Sequence, residues 1–178
     1  MQDIALSDLI RDRYPFPISH AYAYLESRVD PQDRYAALLA CFEVTLKTIT
    51  SIALANFMRD AQEDPDFGNV HLFRELLETL SRPLSLGHWQ GLLWRTLRPY
   101  ASQQERLVVP ELFDFYYRIT ESANVKSQKP HVPIIQRMIQ ERNEEAHHRN
   151  RSQTSTLQRQ AEIAPLEADM HTLLDGLR

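Results

Sequence analysis

One cysteine, four glycines and three lysines occur among 178 residues, and each scarcity excludes something. With Cys41 alone, neither an intrachain disulfide nor a multi-cysteine metal site is open to the chain. Cys41 stands inside an apolar helical pattern, which makes it a buried, inert thiol. So few glycines, and no Asn-Gly or Asp-Gly joining two apolar runs, leave a β fold without its hairpin turns. No Gly-rich phosphate loop is present, and Gly87-His88-Trp89-Gln90-Gly91 does not match one. There is no run of 18 uncharged apolar residues, and no basic stretch followed by an apolar run at Met1-Gln2-Asp3-Ile4. The expectation is a cytoplasmic chain without a membrane span. A formal charge of −4 gives no global attraction to nucleic acid or anionic lipid, so any such contact must be local.

What is present points to helices. An apolar share of 43% with 25% charged residues suits a globular chain, and the length suits one domain spanning residues 1–178. Asp30-Pro31 opens the strongest signal: Asp30 as N-cap, and Pro31 at the first helical position, where a missing N–H costs nothing. From there Tyr35, Leu38, Leu39, Phe42, Leu46, Ile49, Ala53 and Phe57 recur at steps of three and four. That spacing predicts a central helix to about Arg59, followed by a polar loop from Asp60 to Asn69. Further helices are expected over Ile4–Asp12, Ser19–Val29, Val70–Leu80, Ser85–Leu97, Pro110–Thr120, Val132–Arg149 and from about Ser155 to the end. Tyr14-Pro15-Phe16-Pro17 reads as a stiff, non-helical connector, and Glu121–His131 as a second polar loop. No repeat of 20–50 residues is apparent, which argues against a solenoid. The fold class is therefore all-α, a helical bundle around a long central helix.

One stretch suggests chemistry. The amphipathic segment Val132–Glu141 runs directly into Arg142-Asn143-Glu144-Glu145-Ala146-His147-His148-Arg149-Asn150-Arg151. Here the sequence resembles the HEPN superfamily of small α-helical bundles, whose signature is an arginine, commonly followed by asparagine, and then a histidine after four to six residues. The matches are Arg142, Asn143 and His147, with His148 at a longer spacing, over about six residues of the chain. The loose arginine-to-histidine pattern recurs from Arg13 to His20 and from Arg82 to His88, so specificity rests on the added asparagine.

A histidine exchanges protons near neutral pH, and an arginine grips a phosphate through parallel N–H donors. For catalytic members the resemblance implies metal-independent RNA cleavage, by attack of the 2′-hydroxyl on the neighbouring phosphate, with no cofactor. His147 would be the acid/base, Arg142 would stabilise the phosphate charge and Asn143 would orient histidine or substrate. His148, Arg149 and Arg151, with Arg159 nearby, would hold RNA backbone. The resemblance also implies a toxin or antiviral-defence effector as the context. On a regular helix Arg142 and His147 lie about 140° apart, so one copy does not present both to one phosphodiester. A two-fold homodimer carrying the motif twice solves this, and the resemblance points to dimers too.

The same letters suit a solvated helix end. Glu144–His148 and Glu145–Arg149 are i,i+4 pairs of the favourable orientation, and cations at a helix C-terminus complement its dipole. Glu144 and Glu145 would also repel RNA. The competing expectation is a non-catalytic interaction or dimerisation module. The unfinished apolar periodicity of Leu173-Leu174-Asp175-Gly176-Leu177-Arg178 suits either the N-terminal module of a longer protein, bound to a fused or partner domain, or a short protein whose final helix docks on the bundle. His71 and His88 read as helix-face or packing residues, and Phe113-Asp114-Phe115-Tyr116-Tyr117 as core rather than a base-stacking platform. His147-His148 with Glu144 lacks a second ligand helix, so no metal site is expected.

Overall fold

The computed structural model describes residues 5–64, 66–117, 131–148 and 156–178, and of His147, His148 and Thr156 it describes the backbone alone. The described residues form an all-α helical bundle with a long central helix and no strand. The helices are α1 (Leu6–Arg13), α2 (Phe16–Glu26), α3 (Pro31–Glu63), α4 (Val70–Leu80), α5 (Leu86–Leu97), α6 (Glu111–Tyr116), α7 (His131–His148) and α8 (Thr156–Asp175). Short 3₁₀ turns at Arg98–Ser102 and Gln104–Arg106 follow α5.

Local chemistry explains most boundaries. Asp30 caps α3, its Oδ1 accepting from the amides of Gln32 at 2.9 Å and Asp33 at 3.1 Å. All eight apolar positions that define the α3 stripe are buried, from Tyr35 to Phe57. Ser85 caps α5 through a reciprocal pair with His88: Ser85 Oγ accepts the His88 amide at 3.3 Å, and His88 Nδ1 accepts the Ser85 amide at 3.1 Å. Several expected boundaries move. Helix α2 stops at Glu26 and not Val29, α6 stops at Tyr116 with Tyr117 extended, and His131 opens α7 instead of ending the loop. Two others have a local cause. Phe16 and Pro17 open α2 instead of belonging to the connector, because a proline in the first helical turn lacks only an N–H that has no helical acceptor. The polar stretch from Asp60 is helical to Glu63, because Asp60 is a buried hydrogen-bond acceptor. The helix end expected over 118–120, the 121–130 part of the second loop, and Arg149 and Arg151 lie outside the described residues.

The chain divides into two compact units. Unit 1 takes the described residues of Met1–Thr48 and Pro133–Gly176, hence α1, α2, the first half of α3, most of α7, and α8. Its core includes Ile10, Tyr22, Phe42, Met138, Leu166 and Met170. Cys41 is fully buried there, and burial pushes its thiol up to about 12, against a weaker lowering by Thr45, so it is no nucleophile at neutral pH. An 18-residue window of α3 is apolar enough, by length and composition, to cross a membrane, although the stricter charge-free criterion is not met. Of that window 56% is buried against protein, and a soluble core helix passes the same test.

Unit 2 takes Ile49–Val132 among its described residues, with α4, α5, α6 and the second half of α3. The Phe113–Tyr117 aromatics are buried, except that Asp114 between them is exposed, so this stretch is core. A polar cluster ties the 106–108 segment to α3. Asn56 Nδ2 donates to Asp60 Oδ2 and to Tyr100 Oη, both at 2.8 Å, and to the Arg106 carbonyl at 3.2 Å. Its Oδ1 accepts the Val108 amide at 2.7 Å. The turn into α4 passes through positive φ at Gly68 (75°) and Asn69 (58°). A Cβ on Gly68 would stand 2.5 Å from Phe57 Cε2, inside the core. Gly68→Ala is therefore expected to destabilise the chain by about 2 kcal/mol through both strain and crowding, read as a lower urea midpoint. An unchanged midpoint would mean that the turn relaxes freely.

Candidate functional site

The Arg142–His147 stretch is the last turn and a half of α7, within unit 1. The inward arc of this helix carries Met138, Glu141, Arg142 and Glu145, and each polar member of it is engaged by α3 or α8. Arg142 Nε donates to Glu43 Oε2 of α3 at 3.2 Å, with the Arg142 side chain 30% exposed. The other oxygen of Glu43 accepts from Lys47 Nζ at 2.6 Å. Burial alone would push the Glu43 carboxyl up, but the hydrogen bonds and charges of Lys47 and Arg142 outweigh it and hold it below the usual carboxylate range. Glu141 Oε2 accepts from Tyr35 Oη at 3.3 Å, and burial followed by the Glu141 charge raises the Tyr35 phenol well above its ordinary value.

Glu145 turns to α8, where Arg159 Nη2 donates to its Oε2 at 2.9 Å. The Arg159 guanidinium is only 12% exposed and has every edge occupied. It donates to Gln32 at 3.1 Å and to Glu162 at 3.1 Å, and its plane stands 4.0 Å from the Tyr35 ring centroid. Arg137, one turn earlier on α7, forms an ion pair with Asp169 of α8. Three helices are thus cross-linked around the motif by alternating carboxylates and guanidiniums.

Of the residues expected to act on RNA, Arg142 faces Glu43, and Asn143 is exposed to solvent on the outer side of α7. Glu144 is exposed and accepts from Gln140 at 2.8 Å. The structure describes no side chain for His147 or His148, and Arg149 and Arg151 lie outside the described residues. Arg159, read from the sequence as part of a basic cluster, is instead consumed by internal partners. Glu43, Tyr35 and Glu141 were missed as neighbours of the motif. Glu43 carried one usable signal, a lone acid between apolar residues on the central helix.

Unit 2 holds a cleft of about 780 Å³ lined by α4, α5 and the turn between α3 and α4. Trp94 is 40% exposed at its edge, and His71 lines it from α4. Its charges are of mixed sign: Arg95 faces Glu75 at 3.9 Å, and Asp64 accepts at 3.2 Å from Arg106, which stands outside the lining. Chain-wide comparison with protein-family models, with curated proteins and with solved structures finds no match.

Proposed function

We propose that this chain is a non-catalytic helical interaction module, in which the Arg-Asn-x3-His stretch locks α7 onto α3 and α8 instead of gripping RNA. The observation that carries this reading is the pairing of the Arg142 guanidinium with Glu43 of the same chain. A phosphate-binding arginine works best with its N–H donors free, and here the Nε donor meets a carboxylate already held by Lys47. The exposed carboxylate of Glu144, beside Asn143, adds negative charge where an RNA backbone would approach.

A second reading is a HEPN-like, metal-independent endoribonuclease serving as a toxin or defence effector. The exposure of Asn143 and the partial exposure of Arg142 favour it. A half-exposed ion pair is worth only about 1 kcal/mol, so Arg142 would leave Glu43 for a substrate phosphate at small cost. RNA cleavage in the presence of EDTA separates the two, comparing wild type with His147→Ala and Arg142→Ala. The module reading expects background cleavage from all three proteins, with Arg142→Ala lowering stability by about 1 kcal/mol. Cleavage by wild type that disappears in both variants would establish the nuclease instead.

A further inference from the structure

Helix α2 is rich in apolar and aromatic residues on both sides, with Ser19 and His20 between them, and no Asp, Glu, Lys or Arg occurs in it before Glu26 at its end. A helix of that composition is normally buried all round. Here Ile18, Tyr22 and Leu25 face the core of unit 1, while the opposite side is open: Phe16 is 77% exposed, Tyr24 is 49% exposed, and His20 and Ala23 are exposed between them. These side chains are ordered into a ladder at four-residue steps. The Phe16 and His20 rings stack with centroids 5.5 Å apart at 23°, and the Arg28 guanidinium stands 4.0 Å over the Tyr24 ring. Exposed aromatics arranged this way on one face mark an association surface.

The spacing also names the occupant. About His20 the face is a pseudo-palindrome: Phe16 and Tyr24 lie four residues on either side, and Pro17 and Ala23 three. An antiparallel copy of the same helix sets aromatic against aromatic and small residue against ring, with the two His20 imidazoles at the axis. Such an isologous contact needs a self-complementary patch, and from Phe16 to Leu25 there is no Asp, Glu, Lys or Arg to match a charged partner, Arg28 beyond them being laid on its own Tyr24 ring. A helix lying on a membrane carries a fringe of several Lys and Arg along its polar side, whereas α2 has none within its length. We propose that α2 is a homodimerisation surface, in which Phe16, His20 and Tyr24 pack against Tyr24, His20 and Phe16 of a second copy.

Covering this ladder on both copies buries on the order of 1,000 Å², the low end for a specific interface, so the dimer is weak and concentration-dependent. It also differs from a nuclease-type dimer, which would form through the motif helix α7. Only the idea that the chain works by association is taken from the module reading, and the two fail separately. RNA cleavage removes the module reading, whereas the α2 dimer is judged by mass alone.

Sedimentation equilibrium from about 1 to 300 µM is expected to give a monomer–dimer equilibrium with a micromolar Kd. Phe16→Asp and Tyr24→Glu are each expected to weaken it at least about 100-fold, and His20→Asp, which sets two carboxylates face to face at the axis, to abolish it. His20→Leu keeps or tightens the dimer. All three sites are exposed, and far-UV circular dichroism checks that the variants remain helical. A wild type that stays monomeric throughout the range overturns the proposal. So does a dimer indifferent to the α2 changes, or one broken by Asn143→Glu on α7 alone.

Discussion

Asn56→Asp is expected to cost about 3–5 kcal/mol, a large part of the stability of any single domain. The orientation of the Asn56 amide is fixed, because its Oδ1 accepts the Val108 amide at 2.7 Å and only the Nδ2 side remains to donate. That nitrogen serves Asp60 Oδ2, Tyr100 Oη and the Arg106 carbonyl, while Tyr100 Oη donates onward to the same Asp60 oxygen at 2.6 Å. Asn56, Asp60 and Tyr100 are 5%, 1% and 0% exposed, so water does not replace a lost partner. An aspartate keeps the shape and removes every donor. It also brings a second carboxylate within 2.8 Å of Asp60, where Arg59, reaching Asp60 Oδ1 at 2.7 Å, neutralises only one charge. Asn56→Leu removes the same hydrogen bonds without adding charge, and is expected to lose about 2–3 kcal/mol. Denaturation followed by the fluorescence of Trp89 and Trp94, both in the same unit, measures the two. Equal losses would mean that the cluster is wet, and that like charge is screened there.

This cluster is the part of the fold that sequence reading could not reach. Apolar periodicity located α3 and the whole of α4, because a helix that buries one stripe must repeat it at three and four residues whatever it packs against. Caps such as Asp30 and Ser85 were legible or nearly so for the same reason, since a cap acts within four residues. Asp60 read as the first residue of a polar loop because its partners, Tyr100 and Asn56, become neighbours only after folding. The motif suffered the same blindness. Its spacing and the divergence of Arg142 from His147 around α7 follow from the sequence, but Glu43, 99 residues from Arg142, does not. Glu145 was expected to pair with Arg149, which lies outside the described residues, and among those described it receives Arg159 from α8. Local rules rank local partners, and a packed helix offers better ones from outside the element.

Arg159→Ala is expected to cost about 3 kcal/mol, more than Arg142→Ala, although only Arg142 belongs to the motif. The difference comes from burial and valence. Among the described residues Arg142 makes one ion pair at 30% exposure, whereas Arg159, at 12%, donates to Glu145, Glu162 and Gln32 and covers the Tyr35 ring. Removing it leaves the Glu145 carboxylate beside Glu141 without its ion-pair partner among the described residues, and opens the packing of α8 on α3. Arg159→Lys is expected to recover less than half of the loss, because a point charge on a flexible stem does not replace a planar fork that bonds along three edges and stacks on a ring. A double-mutant cycle with Glu145→Gln isolates the pair itself, with about 1–2 kcal/mol expected as the coupling. The same variants bear on function. If Arg159 grips RNA, its alanine variant loses RNA affinity while its unfolding midpoint stays where it was. If it locks the motif helix in place, the midpoint falls and amide exchange rises first along the start of α8 and around Tyr35.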